Sequence, residues 1–346
     1  MAHAITQLNG RASMAYIGEK PWHGLGQALT PGQTIETWAR EAGIDYRICR
    51  SRVRFGDAAD PQIWDERHVF FRSDTKKPLG IGSDGFQLVQ PAEVLGFFRD
   101  LCAEHGFTLE TAGTLYDGAK FWALARLPLD FTLPGRDQVS GYALLATSCD
   151  GSLATTGQIT SVRVVCDNTL RMATASGKDA IKVRHSSVFN ETKVKVDMGL
   201  LQGQWQAFAD NARKLAARKI TRAEAVKILV DAIGDPEKKI EDQPNARPMG
   251  QILELFDGAA RGSELDSAKG TAWGLVNAAT EFADHYAGRS TNSRLNSAWF
   301  GTGAARKAAI FEKALVMADG TIEHRPFTGA ELLDTVLDQP VNDQPY

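Results

Sequence analysis

The residues in this sequence best suited to hold a ligand are arginines. From Cys49 to Phe55 the chain alternates, with Cys49, Ser51, Val53 and Phe55 in one register and Arg50, Arg52 and Arg54 in the other. Period two predicts a strand with one half-buried face, and a strand places alternate side chains about 6–7 Å apart. Three guanidiniums in such a row suit the phosphates of a nucleic-acid strand. A second basic strand is predicted over Ala180–His185, where Lys182 and Arg184 alternate with Ile181 and Val183. Arg163, in the β-branched run Ser161–Cys166, adds a third cluster, and a nucleic-acid backbone is expected to lie on Arg163, Lys182 and Arg184. Single strands also stack their bases on aromatic rings, and Trp64, Phe71 and Tyr142 are the candidates for that role. The competing reading of each basic strand is a solvated face paired with acidic neighbours.

Other chemistry has little support. The chain has no GxxxxGK[ST], HExxH or GxSxG motif, and Gly24-Leu25-Gly26 lacks the rest of a dinucleotide fingerprint. The four cysteines, Cys49, Cys102, Cys149 and Cys166, form no CxxC pair and have no histidine at zinc-finger spacing, which predicts buried free thiols. His23, beside Trp22, reads as a packed loop histidine before it reads as a base. Asp167 or Asn168, next to Cys166, reads as the cap of a short helix carrying Leu170, Arg171 and Met172. The expectation is therefore a protein without catalytic residues, resident metal or cofactor.

Charge is unevenly spread. The chain of 346 residues carries a formal net charge of −3, yet residues 163–222 hold twelve Lys/Arg against five Asp/Glu, a local +7 that leaves −10 elsewhere. Local positive charge weighs more than overall balance in nucleic-acid binding. No apolar run is long enough to span a membrane, and the N-terminal residues lack the apolar core of a secretory signal, so a cytoplasmic location is expected.

The elements that would position these residues read as sheet first and helix second. A loop-rich segment over 1–45 contains a short helix over 35–42 behind Thr34. Strands are predicted at 45–56, 68–72 and 79–90, then a helix over Ala92–Glu104, entered at Pro91 and stopped by Gly106. Hairpins are predicted around Asp117-Gly118 and Asp150-Gly151, with Leu129–Gly135 a loop. From Ser187 a long helix is read, because Val194, Met198, Leu201, Trp205, Phe208, Ala212 and Leu215 keep 4-3 spacing. It suits a helix lying on the sheet or shared between protomers. A capping box at Thr221-x-x-Glu224 opens the next helix. Asp235–Pro248 reads as a linker or exposed loop, and further helices are expected near 249–259, 271–286 and 297–317.

Several segments carry a resemblance. GRASMAYIGEKPWHGLG (10–26), FWALARLP (121–128), TSVRVVCDNTL (160–170), IKVRH (181–185), GTAWGLVNAATEFADH (270–285) and SAWFGTGAARK (297–307) resemble the phage/plasmid-like proteins of the domain-of-unknown-function family numbered 932. The segments occur in the family's order over most of the chain. The resemblance implies a mobile-element setting and assigns no residue a role. A curved antiparallel sheet followed by a long helix is also similar, in element order alone, to single-strand annealing proteins such as the Redβ, Erf and eukaryotic recombination-mediator groups. Those hold single-stranded DNA in a basic groove on a ring.

The expected fold is α+β: a curved antiparallel β-sheet packed on a long helix, followed by a helical C-terminal region. The expected divisions are 1–45, an α+β core at 46–220, helices at 221–335 and a loose tail at 336–346. The expected function is single-stranded DNA binding and strand annealing by a homo-oligomer, with a ring as one candidate form, of a phage or plasmid recombination system. Arg50, Arg52, Arg54, Arg163, Lys182 and Arg184 are the expected contacts. Two other readings stay open: a non-catalytic protein-interaction factor of a mobile element, and a nuclease or nucleotide-processing enzyme built on His23, His185 and scattered acids.

Overall fold

A computed structural model describes residues 5–8, 10–18, 25–163, 168–171, 181–190, 192–194, 205–288 and 294–320. Its architecture is α+β, with antiparallel sheets followed by a helical C-terminal region. A small ribbon joins β1 (Gln7–Leu8) and β2 (Arg11–Ala12). The main sheet takes β3 (Met14–Ile17) and β4 (Gln27–Leu29) from the N-terminal segment. A separate three-stranded sheet holds β5 (Ile48–Phe55), β6 (Gln62–Arg72) and β7 (Pro78–Ser83), in that order. The main sheet continues with β8 (Thr108–Leu115), β9 (Lys120–Leu133), β10 (Asp137–Ser148) and β11 (Thr155–Arg163). It ends in β12 (Asn168–Arg171) and β13 (Ile181–Val183), which both pair with β11. Its order is β12-β11-β10-β9-β8-β3-β4, antiparallel except for the β3–β4 pair.

Two helices precede the long hairpins. Helix α1 (Ile35–Glu41) is capped by Thr34, whose side chain accepts from the Thr37 amide. Helix α2 (Pro91–His105) opens on a Gln90/Glu93 capping box and stops at Gly106, which is left-handed at φ 68°. The C-terminal helices are α3 (Trp205–Ala217), α4 (Arg222–Ile233), α5 (Ala246–Glu254), α6 (Ala272–Glu281), α7 (Arg294–Phe300) and α8 (Thr302–Ala318). Among the described residues no helix is long and apolar enough to cross a membrane.

Both faces of the main sheet are covered. On one, Phe121, Ala123, Ala125 and Leu127 of β9 join Val94, Phe97 and Phe98 of α2 in a core that continues into the C-terminal helices. On the other, Trp122 and Leu124 pack with Met14, Leu144 and Ala146, and Trp122 meets Trp299 of α7 edge to face. The alternation along FWALARL is thus that of a strand buried on both faces.

Several local expectations are corrected. Leu129–Gly135 is not a loop: β9 runs to Leu133 because Phe131 and Leu133 still find the core, and the turn is confined to Pro134–Arg136. Asn168–Arg171 is not a capped helix but a strand on Thr160–Arg163, where an open sheet edge outweighs the local capping preference of Asp and Asn. A long helix from Ser187 is not evident: helix α3 begins at Trp205, and Met198 and Leu201 lie outside the described residues. The rest of the 4-3 series is spent inside the chain, with Trp205 and Phe208 against Phe131 and Phe208 against Phe311. That part of the seam is not available to a second protomer. The 297–317 helix is two helices, split at Gly301, whose backbone is not helical (φ −112°, ψ −147°). Asp235–Pro248 is no free linker, since the buried Gln243 side chain bonds Asp235 at both backbone groups and the Lys238 carbonyl.

The arm formed by β5–β7 is anchored through Arg72. This arginine is 2% exposed, makes two bonds to Asp74 at 2.9 and 2.7 Å, and lies 3.7 Å from the centre of the Tyr46 ring. The Tyr46 hydroxyl donates to the Gly118 carbonyl at 2.9 Å. Gly118 is left-handed (φ 104°), and a Cβ there would fall 2.7 Å from the Tyr46 hydroxyl and 2.9 Å from Arg72 Nη1, so the anchor requires glycine. The Arg72 bonds hold the Asp74 carboxyl below its ordinary value. A carboxylate depressed in the folded state adds stability above its unfolded pKa, and this is lost as pH falls through the folded value. The melting temperature is expected to drop below about pH 4, and Asp74→Asn to lower stability at neutral pH while flattening that acid limb in a calorimetric pH series.

Candidate nucleic-acid interface

Only the base of the arm is buried. Along β5 the sequence predicts Cys49 and Ser51 inward and the arginines outward, and at the base the structure reverses this. Residues opposite one another on neighbouring strands share a face. Ile48 pairs with Arg72, Arg50 with Phe70 and Arg52 with His68, and all of these partners are buried. Ser51 pairs with Val69, which pairs with Ile81, and Ile81 is 58% exposed. The arginine register therefore starts on the core side, where Ile48 and Phe70 fill the contact with the main body. Arg50 reaches out of it to Asp84 at 2.9 Å, with His68 Nε2 at 3.4 Å.

Beyond Arg52 the register slips. Arg52 pairs with His68 but Val53 pairs with Trp64, so Asp65, Glu66 and Arg67 form a bulge on β6. From there to the tip neither face is covered. Val53, Phe55 and Trp64 share one face, and Arg52, Arg54 and Ile63 the other. Phe55, Ile63 and Trp64 are 57%, 46% and 45% exposed. Each leaves part of about 1.5–3 kcal/mol of burial unrealised, and such a group on one projecting element marks an interaction surface. β5 is also the edge strand of this sheet among the described residues.

The charges on the arm are partly spent. Arg52 pairs with Asp65 at 3.1 Å, with both side chains well exposed, so the pair is weak. Arg67 lies 5.3 Å from the centre of the Trp64 ring. Arg54 makes no ion pair among the described residues. Arg67 is absent from the sequence-based contacts because the strand expected there begins at His68, whereas β6 begins at Gln62. QIWDER has no clean apolar alternation, which fits a strand with neither face buried.

The two basic strands are brought into one neighbourhood through aromatic contacts. Phe70 of β6 lies 5.0 Å from Phe86, and Phe86 stacks on His185 at 4.3 Å. The Gln87 amide donates to the His185 carbonyl at 2.6 Å. The two His185 ring nitrogens face the carbonyls of Gln87 and Leu153, at 3.2 and 2.8 Å. Lys182 and Arg184, just before this histidine, are exposed and make no ion pair among the described residues.

The third cluster is not joined to them. Lys182 pairs with Thr156, seven residues along β11 from Arg163, which is about 23 Å at the rise of a strand. Arg163, Lys182 and Arg184 therefore do not form one patch. Tyr142 is not at the arm either. It sits half-buried on the far face of the main sheet, packed against the cluster that holds Leu144 and Trp122, beside Glu110, and burial pushes both its hydroxyl and the Glu110 carboxyl towards the protonated form. Phe71 is half-buried on the arm's outer face, while Trp64 is presented to solvent. The basic end of α3 is neutralised by Arg213–Asp210, Lys214–Asp319 and Arg218–Glu224 pairs.

Catalytic and metal candidates are few. Among the described residues no three His, Cys, Asp or Glu side chains gather as a metal would need. Burial pushes the Cys149 thiol up to about 12, which leaves it unreactive at neutral pH. His23 and Cys166 lie outside the described residues.

The sequence profile of a domain of unknown function, DUF932, matches residues 78–299. No curated protein and no solved structure matches the chain. The matched span runs from β7 into α7 and includes β13 with Lys182, while the Arg50–Arg54 strand precedes it. Covering well over half of the sequence, the match establishes that this chain belongs to the DUF932 family.

Proposed function

We propose that the protein binds single-stranded DNA along the β5–β6 arm and, as a homo-oligomer in the cytoplasm, anneals complementary strands for a phage or plasmid recombination system. The observation that carries the DNA-binding reading is the uncovered tip, where Arg52 and Arg54 flank an edge strand whose other face offers Phe55 and Trp64. A strand following that edge has its phosphates within reach of Arg52, Arg54 and Arg67 and its bases over the aromatic side chains. Arg184 and Lys182 extend the positive surface beyond the base of the arm. Arg50, whose exposed pair with Asp84 is weak, adds a further cation towards the base of the arm.

With about three phosphates neutralised, the affinity of a labelled oligo(dT) should fall with salt at a log–log slope of about −2. Fluorescence anisotropy at a series of chloride concentrations measures it, and a slope near zero overturns the reading. Annealing is tested separately by mixing complementary labelled strands; rates that the protein leaves unchanged refute that part alone.

A second reading draws on the same arm. With Arg50 and Arg52 paired to acids, the exposed Phe55, Ile63 and Ile81 suit docking on a protein partner in a non-catalytic factor. No oligonucleotide binding, together with capture of one partner that a tip substitution abolishes, favours it.

A further inference from the structure

The C-terminal helices enclose a cavity of about 240 Å³ between the end of α6, helix α7 and the start of α8. Its apolar side is built by Phe282, which opens a π-helical turn (Phe282–Tyr286) that continues α6, and by Ala287, just past that turn. Such turns widen a helix by one residue and often shape sites. Arg294, Arg306, Ser297 and Thr302 form the polar side.

The charge of this lining is one-sided. Among the described residues no acidic side chain lines the cavity, while two guanidiniums do. Arg294 Nε donates to the Ala287 carbonyl at 2.9 Å, and Arg306 Nη2 to Asn245 Oδ1 at 2.8 Å. Both partners are neutral, and neither arginine makes an ion pair among the described residues. The neighbouring acids are engaged elsewhere, Asp284 with Lys307 Nζ at 2.7 Å and Glu281 with the Arg261 amide at 3.0 Å. Burial also disfavours the charged form of Arg294. Two cations left without a counter-charge in one concave site are relieved by an anion, and the remaining N–H groups of each fork suit an oxyanion. The volume, about eight times a water's share of the liquid, leaves room for more than a bare ion, and the apolar wall suits a small organic body.

We propose that this cavity is a binding site for a small phosphate monoester, with Arg294 and Arg306 holding the phosphate and Ser297 and Thr302 donating to its oxygens. It is separate from the arm and does not depend on the reading of the arm.

The test uses the full chain with inorganic phosphate and a nucleoside monophosphate as probes, read by calorimetric titration and thermal shift against equal ionic strength of chloride. Saturable binding of the monophosphate is expected, tighter than that of inorganic phosphate, and at least tenfold weaker in R294Q/R306Q. Ala287→Phe, which fills the cavity and leaves both arginines in place, is expected to abolish it and covers the case in which the double variant does not fold. Oligonucleotide affinity should be unchanged in A287F, which separates this site from the arm. Absence of saturable binding by either probe overturns the proposal, as does binding that survives both R294Q/R306Q and A287F.

Discussion

Under the proposed reading, replacing Arg54 and Arg67 together with glutamate is expected to lower the affinity for single-stranded DNA by about a hundredfold to ten-thousandfold. Each charged hydrogen bond to a phosphate is worth about 1.5–3 kcal/mol, so two lost contacts remove about 3–6 kcal/mol before repulsion is added. The salt slope should weaken by about 1.4, since each contact contributes about 0.7 on a single strand. Trp64→Ala alone should cost about 1–3 kcal/mol with the slope unchanged, because stacking releases no counterions. These substitutions are chosen over Arg50→Glu, which sets a carboxylate against Asp84 and disturbs the arm's base. The fold should survive R54E/R67E, as Arg54 is exposed and makes no ion pair among the described residues, and Arg67 lies over the exposed Trp64 ring. Anisotropy titrations at two salt concentrations decide the matter. Unchanged affinity in the double variant removes DNA from the arm and leaves the protein-docking reading.

How far the site was legible follows from what alternation can encode. The period-two run at Cys49–Phe55 identified β5 correctly, because a strand imposes that period whichever way it faces. It could not say which face is buried, since that depends on whether Phe70 or Ile81 of the neighbouring strands turns to the core. Past the bulge at Asp65–Arg67 the question lapses, because neither face is covered there. Arg67 was missed for the same reason: a strand without a buried face writes no hydrophobic pattern. The cavity arginines were unreadable in another way. Arg294 and Arg306 are twelve positions apart on two helices, and only the break at Gly301 folds them onto one space.

The fold was legible where burial was strong and local. The start signals at Thr34, Pro91 and Thr221–Glu224 agree with helix starts, since a cap satisfies amide groups within its own turn and proline has none to satisfy. Asp167-Asn168 shows the limit, as the same chemistry leads into β12, whose ladder to Thr160–Arg163 offers four residues of pairing that no local signal announces. The 4-3 series ending at Leu215 left two partners open, the sheet or a second protomer, and over 205–215 the sheet takes it, through Phe131 of β9. Its residues at 205–215 do share a buried face, and the occupants of that face are Phe131 and Phe311 of the same chain.

Lys307→Met should be among the most damaging single changes to stability. Lys307 is 2% exposed and its ammonium lies 2.7 Å from Asp284 Oδ1, itself 7% exposed. Removing the cation strands a carboxylate in the helical core, at a cost of about 3–5 kcal/mol. With an unfolding entropy of about 2.1 cal/mol/K per residue, that corresponds to a melting temperature about 4–7 °C lower. Methionine keeps most of the lysine stem's volume, so lost packing contributes little. Adding Asp284→Leu removes the stranded charge and should recover part of the loss, because a buried ion pair replaced on both sides by apolar groups is often close to neutral. Calorimetry on the two variants separates the causes. If the double variant is no more stable than Lys307→Met alone, an uncompensated Asp284 charge is not the cause of the loss, and the ion pair is not the contact that holds α8 on the end of α6.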